Sequence, residues 1–222
     1  MKKILSFLLL AVIAVGMSTS LTSCSSEDNE PEVKTYEIKL KVGEIFDVTG
    51  SGDLISEDRF IATTYGSSVK ALHVGKTVLH SSTSVVEIEV YSQYNMFDEP
   101  YLGFGETKEE VKNYEKRILM SESDSELFYK SSGAFEHGVA YMFDKDGKLK
   151  AILLIFNHKY DAVIANNLGH HFADRYLPLS VSGNVSYFLN NYKDKATAAI
   201  AIELFIKGYD GWGQIKYIPF ND

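Results

Sequence analysis

From residue 34 onward, hydrophobic positions alternate with polar ones in short runs. In "TYEIKLKV" Tyr36, Ile38, Leu40 and Val42 fall on one side and Glu37, Lys39 and Lys41 on the other. Successive side chains of a strand point to opposite faces, so this run is a half-buried strand. "VGE" turns the chain, "IFDV" starts a second strand and "GSGD" breaks it. Four more short runs follow, near 60–63, 69–73, 77–81 and 85–91, with Gly66 and Gly75 at turns. Short strands at even spacing predict a small β-sandwich over residues 34–92.

The period changes after residue 96. Thr107-Lys108-Glu109-Glu110 reads as a capping box, with Val111, Tyr114 and Ile118 at helical spacing behind it. A helix is expected from there to about Leu119. Three strands should follow, in "ELFYKSS", "HGVAYMFDKDGK" and "LKAILLIF". A second helix is expected over 159–173, with Ile164, Leu168 and Phe172 one turn apart, and then strands in "YLPLSVS", "NVSYFLNNY" and "TAAIAIELFI". "VAYMFD" from Val139 answers "VSYFLN" from Val185, and each leads through a charged turn into a long apolar run, from Ala151 and from Ala199. This predicts an α+β domain over 96–222. A helix-plus-three-strand unit is duplicated there, forming one antiparallel sheet with both helices on one face. The final strand from Trp212 is then extra and belongs at an edge.

The N-terminus differs in kind. "MKK" precedes an apolar run from Ile4 to Met17, shorter than the roughly 20 residues a membrane-spanning helix needs. Residues 1–23 therefore read as a secretory leader. "LTSC", Leu21 to Cys24, resembles the lipobox of bacterial lipoproteins. That resemblance implies a diacylglycerol on the Cys24 sulfur, cleavage before it and acylation of the new amine. Each buried acyl CH₂ adds about 0.8 kcal/mol of membrane affinity. Residues 24–33, "CSSEDNEPEV", carry four acids and read as a flexible acidic tether. Ser25, Ser26, Glu27 and Asp28 resemble the surface-export signal of Bacteroidetes lipoproteins, which implies the outer leaflet and the cell surface.

Composition narrows the partners. The net charge is −8 and loses Lys2 and Lys3 with the leader, and no cluster of Lys or Arg stands out. Nucleic acid is excluded, as is electrostatic adhesion to anionic lipid; the membrane is reached through the lipid anchor. Cys24 is the only cysteine, so no disulfide staples the fold. With 45% hydrophobic and 13% aromatic residues, apolar cores can hold it instead.

Two further resemblances concern the domains. "LKVGE", "DRFIATTYGSSVKALHVGKTVL" and "VVEIEVYS" resemble the bacterial Ig-like group 2 domain, shortened at "GSGDLISED". The resemblance implies a spacer or adhesive module without catalytic residues. The pattern of 96–222 is similar to the fold of secreted β-lactamase inhibitor proteins and to lipoproteins of gut Bacteroidetes.

Candidate chemistry is sparse. "DKDGK", Asp144 to Lys148, opens like a calcium loop, but its twelfth position is Ile155, which supplies no carboxylate, and a hairpin turn accounts for it. His170 and His171 point about 100° apart on a helix, so with Asp174 they read as a solvent-facing helix end. His73 and His80 lack a third ligand, and no metal or cofactor is expected. "KGYDGWGQ" places Tyr209 and Trp212 in a predicted hairpin loop as candidate ligand contacts. No G-x-S-x-G, H-E-x-x-H, P-loop or dinucleotide motif occurs, so no catalytic residue is named. The expected function is a non-enzymatic binding or adhesive module, lipid-anchored at the outer-membrane surface, with a protein or glycan partner. The alternatives are an inhibitor or accessory subunit of an envelope enzyme or transporter, and a small hydrolase. A concave pocket holding paired carboxylates, which need no spacing signature, or a histidine with an acidic partner would favour the hydrolase; a flat sheet ringed by aromatics would favour binding.

Overall fold

Alternation becomes pairing along the first stretch of the computed structural model, which describes residues 33–131, 136–157, 162–203 and 212–220. The candidate anchor Cys24, the export residues Ser25, Ser26, Glu27 and Asp28, and the loop residue Tyr209 lie outside the described residues. Strands β1 (Lys34–Lys41), β2 (Ile45–Asp47), β3 (Ile55–Ser56), β4 (Ala62–Tyr65), β5 (Ser68–Ala71), β6 (Gly75–His80) and β7 (Ser84–Tyr91) come first. They make a four-stranded sheet, β1-β7-β6-β3, and a three-stranded one, β2-β5-β4. One buried cluster draws on both, with Leu40, Leu79, Val86, Ile88 and Val90 from the first sheet and Ala62, Val69 and Ala71 from the second. β1 runs parallel to β7, from Lys34 opposite Ser84 to Lys41 opposite Tyr91. Gly75 begins β6 at φ 155°, a backbone conformation that side-chain-bearing residues rarely adopt, with Ile61 packed against it. His73, expected in a strand, sits in the turn between β5 and β6.

The second stretch forms α1 (Lys108–Tyr114), β8 (Leu119–Glu122), β9 (Glu126–Lys130), β10 (Glu136–Phe143) and β11 (Leu149–Asn157). It continues as α2 (Ala162–Ala173), β12 (Leu177–Ser182), β13 (Val185–Leu189), β14 (Ala198–Glu203) and β15 (Trp212–Pro219). All eight strands join one antiparallel sheet in the order β12-β13-β14-β15-β11-β10-β9-β8. That order corrects the expected unit. Each half is a helix followed by four strands, not three, and the halves meet where β11 pairs with β15. β15 is central rather than at an edge. β10 therefore corresponds to β14, and β11 to β15, one strand away from the match that "VAYMFD" and "VSYFLN" suggested.

The first helix is also shorter than expected. Its capping box forms: Thr107 accepts from the Glu110 amide and the Glu110 carboxylate accepts from the Thr107 amide. But it ends at Tyr114, with Glu115 already extended at φ −71°, ψ 125°. The Glu115 carboxylate is drawn inward, 3.0 Å from Arg117 Nη1, and it accepts a hydrogen bond from the Tyr141 hydroxyl. Glu115 and Arg117 side chains are 4% and 5% exposed. Of the three residues expected on the buried side, only Val111 is buried; Tyr114 and Ile118 face solvent. Asp144 closes the β10–β11 hairpin as expected, its Oδ1 accepting from the Asp146 and Lys148 amides, with Gly147 at φ 73°.

Both helices bury against one face of the large sheet. Val111 of α1 and Leu168 and Phe172 of α2 share a core with Leu127, Tyr129, Val139, Tyr141, Ile152, Leu154, Ile200, Ile215 and Tyr217. Strand residues of the other parity make up the second face, which carries no helix among the described residues.

Candidate functional site

Register lays out the helix-free face row by row. Tyr187, Ala201, Lys216, Leu153, Ala140 and Phe128 lie side by side across β13, β14, β15, β11, β10 and β9. The next row holds Val185, Glu203, Gln214, Ile155 and Gly138. Gln214 Nε2 donates to Glu203 Oε2 at 2.7 Å. The Phe128 ring occupies the space beside Gly138, where a Cβ would stand 2.4 Å from its Cζ. Trp212 pairs with Asn157 on this same face, so it begins a strand instead of occupying the predicted loop. It is half-buried, and its ring meets His137 edge-on at 5.1 Å and 84°. Tyr187 and Ile218 remain 36% and 40% exposed. Partly exposed aromatic and aliphatic side chains with a thin polar complement can contact a partner surface.

A second constellation gathers where the chain passes from β7 to the large sheet. The last turn of α2 clamps the connecting segment 92–99. Ser92 Oγ donates to Asp174 Oδ2 at 2.5 Å, and Arg175 Nη1 donates to the Tyr94 carbonyl at 3.1 Å. Arg175 Nη2 also donates to Asn95 Oδ1. His170 stacks on Tyr94, with ring centroids 4.4 Å apart. His171, expected to face solvent, is 0% exposed. Its Nε2 donates to the Glu99 carboxylate at 3.0 Å, and Nδ1 lies between the Met96 amide nitrogen at 3.2 Å and the Tyr94 carbonyl at 3.1 Å. The helix end is buried because the connecting segment folds back over it, which a local periodicity could not foresee.

Glu99 is the centre of this knot. Its Oε2 accepts from Tyr176 at 2.5 Å and from Tyr217 at 3.1 Å, and Arg175 Nε lies 3.5 Å from Oε1. Burial, reinforced by the neighbouring Glu99 carboxylate, pushes both tyrosine hydroxyls well above their usual range, so they stay protonated and donate. A histidine with an acidic partner is the pattern named above for a hydrolase. Here the ring is sealed, both nitrogens are engaged, and no Ser, Thr or Cys hydrogen-bonds to the ring among the described residues. The arrangement ties two β regions together. None of Glu99, Arg175, Tyr176 or Tyr217 was singled out from the sequence; they carry no spacing signature and are brought together from far apart in the chain.

Among the described residues, two open clefts lie close to these elements. One, of 540 Å³, lies over the polar face of β1, β7 and β6 and includes Glu37, Lys39, Lys76, Glu87 and Glu89. Lys39 and Lys76 reach Glu89 at 3.0 and 3.7 Å, exposed pairs worth little in stability. The other, of 240 Å³, opens beside Glu99 between the two β regions. Among the described residues, no group of three or more His, Cys, Asp or Glu side chains is placed to hold a metal ion.

Comparison with protein-family models, with curated proteins and with solved structures finds no match for this chain.

Proposed function

We propose that this chain is a lipid-anchored protein of the cell envelope, non-enzymatic, which binds a protein or glycan partner at the outer-membrane surface. In this reading Cys24 holds the lipid, residues 34–92 are an Ig-like spacer, and the duplicated α+β region presents the binding surface. The observation that carries it is the helix-free face, where Phe128, Leu153, Ile155, Tyr187, Trp212 and Ile218 stay at least partly open to solvent. The buried His171–Glu99 pair weighs against the hydrolase, because its polar atoms are already used up. An inhibitor or accessory subunit would use the same face, and the identity of the captured protein separates it from an adhesin.

The test compares three forms of the full chain in native envelopes: wild type, Trp212→Ala with Leu153→Lys, and Cys24→Ser. Wild type should carry acyl mass at its N-terminus and co-purify with a saturable partner. The face variant should stay anchored and folded but lose that partner, and Cys24→Ser should leave the membrane fraction. Equal capture by wild type and face variant, or an unmodified Cys24 thiol, overturns the corresponding half of the proposal.

A further inference from the structure

The 240 Å³ cleft is lined from both β regions. Asp58, Phe60, Ile61 and Val74 come from the first, and Glu99, Arg175, Tyr176, Asn190 and Asn191 from the second. Its walls are tied to each other. The Val74 amide donates to the Asp174 carbonyl at 2.8 Å, and Tyr192 Oη donates to the Arg59 carbonyl at 3.4 Å while its ring meets Phe60 edge-on at 5.3 Å. Phe60 is itself buried and stacked on His73, with centroids 3.9 Å apart. The cleft is thus an open groove between two surfaces linked to each other, a kind of place where small-ligand sites preferentially occur.

The polar groups divide into used and unused. Asn190 is spent on Thr197 and Ala198, and Arg175 on the connecting segment. Asp58 Oδ1 accepts from the Phe60 amide at 3.0 Å, while Oδ2 has no hydrogen-bond partner among the described residues. Asn191 Oδ1 accepts from the Tyr192 amide at 2.7 Å, while its Nδ2 has none among them. An acceptor and a donor therefore stand free on opposite walls. Glu99 closes one side with a side chain 33% exposed, and Ile61 and Val74 add an apolar surface.

We propose that this cleft is a binding site for a single pyranose unit, neutral or amino-substituted. The volume suits one ring. Vicinal hydroxyls both donate and accept, which matches a free carboxylate oxygen facing a free amide NH₂. The C–H face of the ring suits Ile61 and Val74. Two carboxylates against one guanidinium, itself tied up, disfavour an anionic ligand. The site is separate from the helix-free face, and the proposal stands whether or not that face binds a partner.

The test is an amide and methyl NMR titration of the full chain, without its leader, with glucose, N-acetylglucosamine, glucosamine and galacturonate, each to about 100 mM. At least one neutral or amino sugar should shift Ile61, Val74 and Asn191 saturably, with millimolar affinity, while the Trp212 indole signal stays put. Galacturonate should not bind. Asp58→Ala and Asn191→Leu should each weaken binding about tenfold. Asn191→Leu removes the donor and fills the cleft mouth while leaving the Asp58 turn intact, so it remains informative if Asp58→Ala misfolds. No saturable shift at these residues, tighter binding of galacturonate, or unchanged affinity in Asn191→Leu would overturn the assignment.

Discussion

At the scale of single residues, the polar interior is arranged around carboxylates that accept from several donors at once. Glu99 gathers two tyrosines and a histidine; Glu115 gathers Arg117 and Tyr141. His73 follows the opposite logic. Burial pulls its pKa below 6.5, against the Phe60 carbonyl and the charges of Asp174 and Asp58, which favour the proton. The unfolded chain then binds a proton that the folded chain resists. Stability from this residue is full above about pH 6.5 and is lost as pH falls through the folded value. Chemical denaturation at pH 7.5 and 5.5 should therefore show a larger acid loss in wild type than in His73→Gln. Identical losses would show that His73 is not the group responsible.

Elements show which patterns the sequence makes legible and which it hides. The run from Tyr36 to Val42 reads directly as a strand, since alternation is a local property of a half-buried sheet. The capping box at Thr107 is equally local and is found in place. Thr107→Ala should cost about 1 kcal/mol, measured as a shift in denaturation midpoint; an unchanged midpoint would mean that tertiary packing alone holds α1. By contrast β8 was missed, because "LMSE" is exposed along its whole length and leaves no hydrophobic period. β15 was misplaced because nothing in "WGQIKYIP" says which strands will flank it; Tyr217 and Ile215 are fully buried only through pairing with distant β11 and β14. The Glu99 knot was invisible for the same reason. The open face was half legible: Trp212 was picked out, but as a loop residue. Both edges of the large sheet are guarded, β8 by a bulge between Leu119 and Ser121 and β12 by Pro178 and a bulge before Ser180. Such irregularities discourage the addition of a further strand at either edge.

On the scale of the whole molecule, two hydrophobic cores are joined by one short segment and by the hydrogen bonds that α2 extends across it. The hydrogen bond from Val74 to Asp174 and the Tyr192 contact on Arg59 link the two regions beside the small cleft.

The parallel pairing of β1 with β7 has a mechanical consequence. Tension applied between the N-terminal end and the region beyond β7 draws these two strands in opposite directions along their length. Every backbone bond from Lys34 to Lys41 is then loaded together, so the pair resists by shearing where a hairpin would unzip one bond at a time. Pulled from its two ends in an optical trap, the first region should rupture at higher force than the same region pulled across the β6–β7 hairpin. Equal rupture forces would mean that the lateral clamp carries no load.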